Sequence, residues 1–118
     1  MSGNAGRTDA GAEPSAEGRR AVVAKRVDSG EPDLTEISQL AAAAGYEVVG
    51  ELTQTRTEDA AFMFGEGKVA ELRDLVRRAD ADAVIIDNDV GPYQTFNVGG
   101  KLPEGVEVVD RFTLILEI

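Results

Sequence analysis

The chain of 118 residues contains no cysteine, no histidine and no tryptophan, and only two tyrosines and four phenylalanines. Without Cys and His there is no disulfide, no thiolate nucleophile, no imidazole general base and almost no route to a zinc site. Long apolar runs are missing too. Nothing approaches the roughly 18 residues of a membrane-spanning helix, and the N-terminal stretch holds no apolar signal-peptide core. Positive charge is scarce: 12 Lys and Arg stand against 22 Asp and Glu, a net charge of −10, and Lys25, Lys68 and Lys101 are the only lysines. Phosphate binding needs a positive footprint, so this balance argues against a free-standing binder of nucleic acid or of anionic membranes.

What is present fits one cytoplasmic domain with a buried core, since 42% of the residues are apolar and the length matches a single domain. Its chemistry is confined to carboxylates, hydroxyls, Lys, Arg and backbone. An acidic composition that prefers Arg to Lys and is poor in aromatics suits a salt-rich, halophilic cytoplasm, where charges are screened within about 3 Å at 1 M salt.

Residues 1–18 are rich in Gly, Ala, Ser and Glu without branched aliphatics, a composition that cannot offset the entropy of ordering, and they are expected to form a disordered acidic tail. The domain is expected over 19–111. Ala21-Val22-Val23-Ala24 is too short for a solvated helix and reads as a buried strand ending near Val27. Asp33 offers an N-cap with Glu36 as the return half of a capping box. Leu34, Ile37, Leu40, Ala41 and Ala44 follow at helical spacing, and Gly45 closes that helix. Tyr46–Thr55 is β-branched and extended. Gly65-Glu66-Gly67 opens a second helix carried by Val69, Leu72, Leu75, Val76 and Ala79. Ala83–Asp87 is a third strand, apolar on both faces. Pro92 suits the first turn of a third helix that Gly99-Gly100 should cut short. Val106–Asp110 is a fourth strand, and Phe112–Ile118 fits a strand or the first turns of a helix. The alternation predicts an α/β fold, a small four-stranded parallel sheet with flanking helices in βαβαβαβ order.

In such sheets ligands gather at the carboxyl ends of the strands. Asp87, Asp89 and Asp110 stand there and could hold Mg²⁺ or a small molecule; strand-end capping and turn formation is the plainer role. Gly65-Glu66-Gly67-Lys68 resembles a phosphate cradle, but it lacks the spacing of a Walker loop, and Ala70 stands where G-x-G-x-x-G needs its third glycine. A tight turn that lets Phe62 and Phe64 pack explains it as well. No catalytic, cofactor-binding or metal-binding residue is therefore assigned. Arg73, Arg77 and Arg78 on the second helix form a small basic stripe able to meet RNA phosphate, or else a solvated helix face. Tyr93, Gln94 and Asn97 offer polar groups in a Gly/Pro-marked loop, for recognition or for tying the loop to itself.

Several segments then line up. Val49-Gly50 with Gln54 and Arg56, Gly65-Glu66-Gly67-Lys68 with Glu71-Leu72, Ile86-Asp87-Asn88-Asp89, Gly91-Pro92-Tyr93-Gln94-Thr95, and Val109-Asp110-Arg111 leading into Leu114-Ile115-Leu116 occur in order over about residues 20–118. Together they resemble the N-terminal domain of the HflX family of ribosome-associated GTPases, in a form that looks archaeal and haloarchaeal. The resemblance implies an interaction module for the large ribosomal subunit, with Arg73, Arg77, Arg78, Tyr93, Gln94 and Asn97 as candidate contacts. GTP and Mg²⁺ would belong to a G domain not contained in this sequence. It also implies that residues 112–118 begin a helical hairpin truncated here, which would leave an apolar segment open to self-association. The alternative is a stand-alone α/β ligand- or metal-binding regulatory domain.

Overall fold

The computed structural model describes residues 18–118, in which strands and helices alternate. They are β1 (Arg20–Val27), α1 (Thr35–Ala43), β2 (Glu47–Thr55), α2 (Glu66–Ala79), β3 (Ala83–Ile86), α3 (Pro92–Lys101), β4 (Glu107–Asp110) and α4 (Arg111–Glu117). The strands form one parallel sheet in the order β2-β1-β3-β4, and the C-terminal segment is helical. Residues 1–17 of the expected tail lie outside the described residues.

The sheet has helices on both faces because the chain reverses direction at β1. The step from β1 to β2 goes one way and the steps to β3 and β4 go the other, so right-handed crossovers put α1 opposite α2 and α3. The apolar strands split accordingly. Val22, Ala24, Val84 and Ile86 face Val69, Leu72 and Val76 of α2 and Val98 and Leu102 of α3. Ala21, Val23, Ala83, Ile85 and Val109 face Ile37 and Ala41 of α1 and Leu114 of α4. This two-sided burial is why β1 and β3 read as continuous apolar runs.

Two local expectations are corrected. Asp33 does not cap α1: its Oδ1 accepts the Thr35 amide at 2.9 Å in an Asx turn, and Leu34 occupies the capping position. That backbone hydrogen bond holds the Asp33 carboxyl below its ordinary range. Glu36 makes an ion pair with Arg111 at 3.1 Å in place of the capping-box return bond. The third helix is not cut short either, because α3 runs through Gly99 and Gly100 to Lys101. Each glycine costs the helix about 1 kcal/mol relative to Ala, but Val98 and Leu102 on either side are buried in the core and keep the turn wound.

The two sheet edges differ. β4 is four residues long, whereas β2 is nine and pairs, among the described residues, only with β1. A bulge lies near the start of β2: Val48 pairs with Ala21 and Gly50 with Val22, leaving Val49 extra.

Candidate functional site

Strands β1 and β3 lie side by side, yet their following connections leave in opposite directions, and that switch point is where an open α/β sheet can accept a ligand. Here it is filled by an ion cluster. Asp87, immediately after β3 and only 7% exposed, places Oδ2 3.1 Å from Lys25 Nζ on β1 and Oδ1 3.2 Å from Arg111 Nη1 at the start of α4. Arg111 also reaches Glu36 Oε2 on α1. The hydrogen bonds that Arg111 donates to Glu36 and then to Asp87 raise its guanidinium above its ordinary pKa range. Asn88 locks β3 to β1: it accepts the Arg26 amide at 2.9 Å and donates to the Arg26 carbonyl at 2.8 Å. Asp110 accepts the Thr113 amide at 2.8 Å and caps α4.

These contacts decide what the strand ends can do. The carboxylate of Asp87 is matched by two cations and that of Asp110 by a helix terminus, while Asp89 is exposed. Among the described residues no group of three or more His, Cys, Asp or Glu side chains converges to hold a metal. A cleft of about 460 Å³ beside them is lined by Asp87, Asn88, Asp89, Asp110, Arg111, Phe112 and Ile115. Phe112, Ile115, Leu116 and Ile118 are exposed, whereas Leu114 is fully buried.

Next to this cluster, the connection from β2 to α2 is held by the residues that carry the sequence resemblance. The Gly65 amide, at the N-cap of α2, donates to Gln54 Oε1 at 2.9 Å. Arg26 Nη1 donates to the Arg56 carbonyl at 2.7 Å and to Asp28 at 2.8 Å. Asp59 and Met63 exchange backbone hydrogen bonds, and Asp59 Oδ1 accepts the amides of Ala61 and Phe62. This closed loop holds Met63 at φ 69°, a left-handed conformation that favours glycine, with its side chain buried against Arg26. From α3, Gln94 accepts the Gly91 amide and donates to Glu58 Oε2 at 2.7 Å and to the Asp59 carbonyl at 3.0 Å. Asn97 donates to the Ala61 carbonyl at 2.9 Å. Gln94 is buried and Asn97 half-buried, so both side chains tie down this loop. Gly50 sits under α2, where a Cβ would meet the Leu75 side chain at 3.2 Å. Gly67 has open space around it, and Lys68 pairs with Glu71 at 3.2 Å.

The arginine stripe divides over α2. Arg73 pairs with Asp74 at 3.3 Å and lines a small pocket of about 120 Å³ with Phe62 and Lys101. Lys101 Nζ lies 5.8 Å from the centre of the Phe62 ring, a cation–π distance. Arg77 and Arg78 are exposed, and Arg78 lines a different groove, beside β2. On α3, Tyr93 is 67% and Phe96 78% exposed. Sequence reasoning passed over Lys25, Arg26, Phe96 and Lys101. The signal for the first two was legible, since two cations at the end of an otherwise buried strand demand partners.

The sequence model of the family described as GTP-binding GTPase N-terminal matches residues 31–118. The GTPase HflX of Thermofilum pendens is 44% identical over 108 residues, covering 88% of this chain and 25% of that protein. That of Thermococcus kodakarensis is 39% identical over 83 residues, 70% of this chain and 18% of the relative. The Escherichia coli GTPase HflX is 34% identical over 87 residues, 73% of this chain and 20% of the relative. The chain thus spans about a quarter or less of these relatives. Among solved structures, the crystal structure of SsGBP in complex with GDP superposes with a TM-score of 0.65 at 22% identity, over 84% of this chain and 28% of that one. The SsGBP variant G235S gives a TM-score of 0.62 at 21% identity, over 82% and 31%. At these identities the likeness speaks for the fold.

Proposed function

The chain belongs to the family of GTP-binding GTPase N-terminal domains, and from that membership we propose that it is the ribosome-facing domain of an HflX-type GTPase. It acts by shape and surface chemistry on the large ribosomal subunit, in the cytoplasm of an archaeon with a salt-rich interior. The observation that carries this reading is the basic and aromatic surface of α2 and α3, where Arg73, Arg77, Lys101 and Tyr93 stand out from a body with a net charge of −10. Guanidinium groups suit RNA phosphate, and an exposed aromatic ring suits an unstacked base. Gln94 and Asn97 act indirectly, by holding the 58–63 loop under that surface.

GTP and Mg²⁺ are bound outside these residues in the full GTPase. Supporting this, the Gly65 amide at the start of α2, where a phosphate would have to be cradled, is already taken by Gln54. The strand-end carboxylates are likewise matched by Lys25, Arg111 and the α4 terminus. Reversing Arg73→Glu together with Arg77→Glu is expected to reduce co-sedimentation with purified large subunits by at least about tenfold, the loss of a few phosphate contacts. Unchanged co-sedimentation would remove this surface from the mechanism.

A further inference from the structure

Helix α3 is the one described helix without a carboxylate: α1 holds Glu36, α2 holds Glu66, Glu71 and Asp74, and α4 holds Glu117. In a chain with 22 Asp and Glu, the stretch from Val90 to Pro103 has none. Asp89 and Glu104 lie beyond its two ends, and Glu58, which reaches α3 from the β2–α2 loop, accepts a hydrogen bond from Gln94 Nε2.

The same helix turns aromatic rings outward. Gln94 and Val98 are buried, and Tyr93, Phe96 and Gly100, spaced i, i+3 and i+7, share the opposite face. Both rings are exposed, in a chain with only two tyrosines and four phenylalanines. Gly100 is equally unexplained by the fold: it has no positive φ, and a Cβ there would meet no atom within 4 Å. Glycine weakens a helix interior; here it leaves bare backbone beside Phe96, where another molecule can come close. On the flank toward α2, Lys101 and Arg73 border the Phe62 pocket, of which Glu66 is the one carboxylate. Among the described residues Lys101 makes no ion pair, and Arg73 pairs only through Nε, with its neighbour Asp74.

We propose that the outer face of α3 is a stacking platform for two adjacent unpaired bases of single-stranded RNA. Tyr93 and Phe96 supply the ring faces, Gly100 the clearance beside them, and Lys101 and Arg73 the cations for the phosphates. The proposal rests on the reading of the domain as ribosome-facing and names the form of RNA it meets. Charge and shape together select this occupant. A second copy docking through the same face would bring cations and no carboxylate to meet these cations. Phosphate alone gives the rings no role. A duplex hides its base faces in the stack, whereas an unpaired strand offers them to aromatic side chains. Stacking is also not screened by salt as phosphate pairing is.

The chain has no tryptophan, so in Tyr46→Phe the ring of Tyr93 is the sole tyrosine fluorophore. The test titrates that chain, in molar KCl, with a short RNA of alternating A and C, which cannot pair with itself. Saturable quenching of Tyr93 is expected. The same RNA annealed to its complement, and inorganic polyphosphate, are expected to leave the emission unchanged. By anisotropy of the end-labelled RNA, Phe96→Ala and Gly100→Leu should each bind about tenfold more weakly, and Phe96→Tyr should bind as the native chain does. Gly100→Leu should do so without a lower melting temperature, which a merely structural fault would produce. No quenching, equal quenching by duplex or polyphosphate, or undiminished binding by Phe96→Ala would each overturn the proposal. So would a dimer in sedimentation velocity that Phe96→Ala dissolves. Co-sedimentation with large subunits reads the wider assignment separately. If the native chain does not pellet with subunits but loses the short RNA on Phe96→Ala, the platform stands and the ribosomal reading falls. If it pellets and Phe96→Ala still binds the short RNA, the platform falls and the ribosomal reading stands.

Discussion

At the scale of single residues, the stability of the strand-end region turns on Asp87. Two cations from different elements share one buried carboxylate, and removing it leaves both without their partner in a half-buried setting. Lys25 and Arg111 retain some solvent, which reduces the penalty below that of a fully enclosed pair. Asp87→Ala is expected to lower unfolding stability by about 2 kcal/mol in urea denaturation. Asp87→Asn should lose less, since the amide still offers an acceptor. Tyr46 gives a second residue-scale prediction. Its hydroxyl donates to Glu117 at 3.2 Å, and burial, with help from the Glu117 charge, pushes its pKa up to about 12. The phenol ionises near 10 in the unfolded chain, so the folded state holds the proton more tightly. The stabilisation is complete below pH 10 and is lost as the pH rises toward 12. Thermal melts across that window should therefore show a falling melting temperature for the native chain, with the fall attenuated in Tyr46→Phe.

At the scale of elements, α3 shows how tertiary burial outweighs local propensity. Gly100 has no positive φ and open space where a Cβ would go. Gly100→Ala is therefore expected to raise stability by about 0.5–1 kcal/mol, read from the denaturation midpoint. The strands were legible as short β-branched or continuous apolar runs, and the first two helices from the 3.6-residue spacing of their apolar residues. The continuation of α3 was not, because the reason for it is the distant surface that Val98 and Leu102 meet. Asp33 was misread for a related reason: the same side chain can close an Asx turn or cap a helix, and only the backbone geometry chooses. The candidate site was less legible still. Lys25 and Asp87 lie 62 positions apart and Asp87 and Arg111 a further 24, so only the parallel register of β1, β3 and β4 brings them together. Gln54, Gly65 and Gln94 could be picked out as motif residues, but their work of tying one loop to β2 and α3 appears only in the folded chain.

At the scale of the whole molecule, the net charge of −10 sets the terms of any encounter with RNA. In dilute buffer it opposes approach to a polyanion. At high salt that long-range repulsion is screened within a few ångströms, which leaves local fit to govern the contact proposed for the α2–α3 surface. None of the described helices is long and apolar enough to cross a membrane. The most direct measurement is co-sedimentation of the chain with purified large ribosomal subunits as KCl is raised from tenths of molar to molar. Binding through the few phosphate contacts of Arg73 and Arg77 is expected to decline shallowly with salt and to remain measurable in molar KCl. No binding at any salt, or the steep loss with salt that marks attachment by many phosphate contacts, would contradict it.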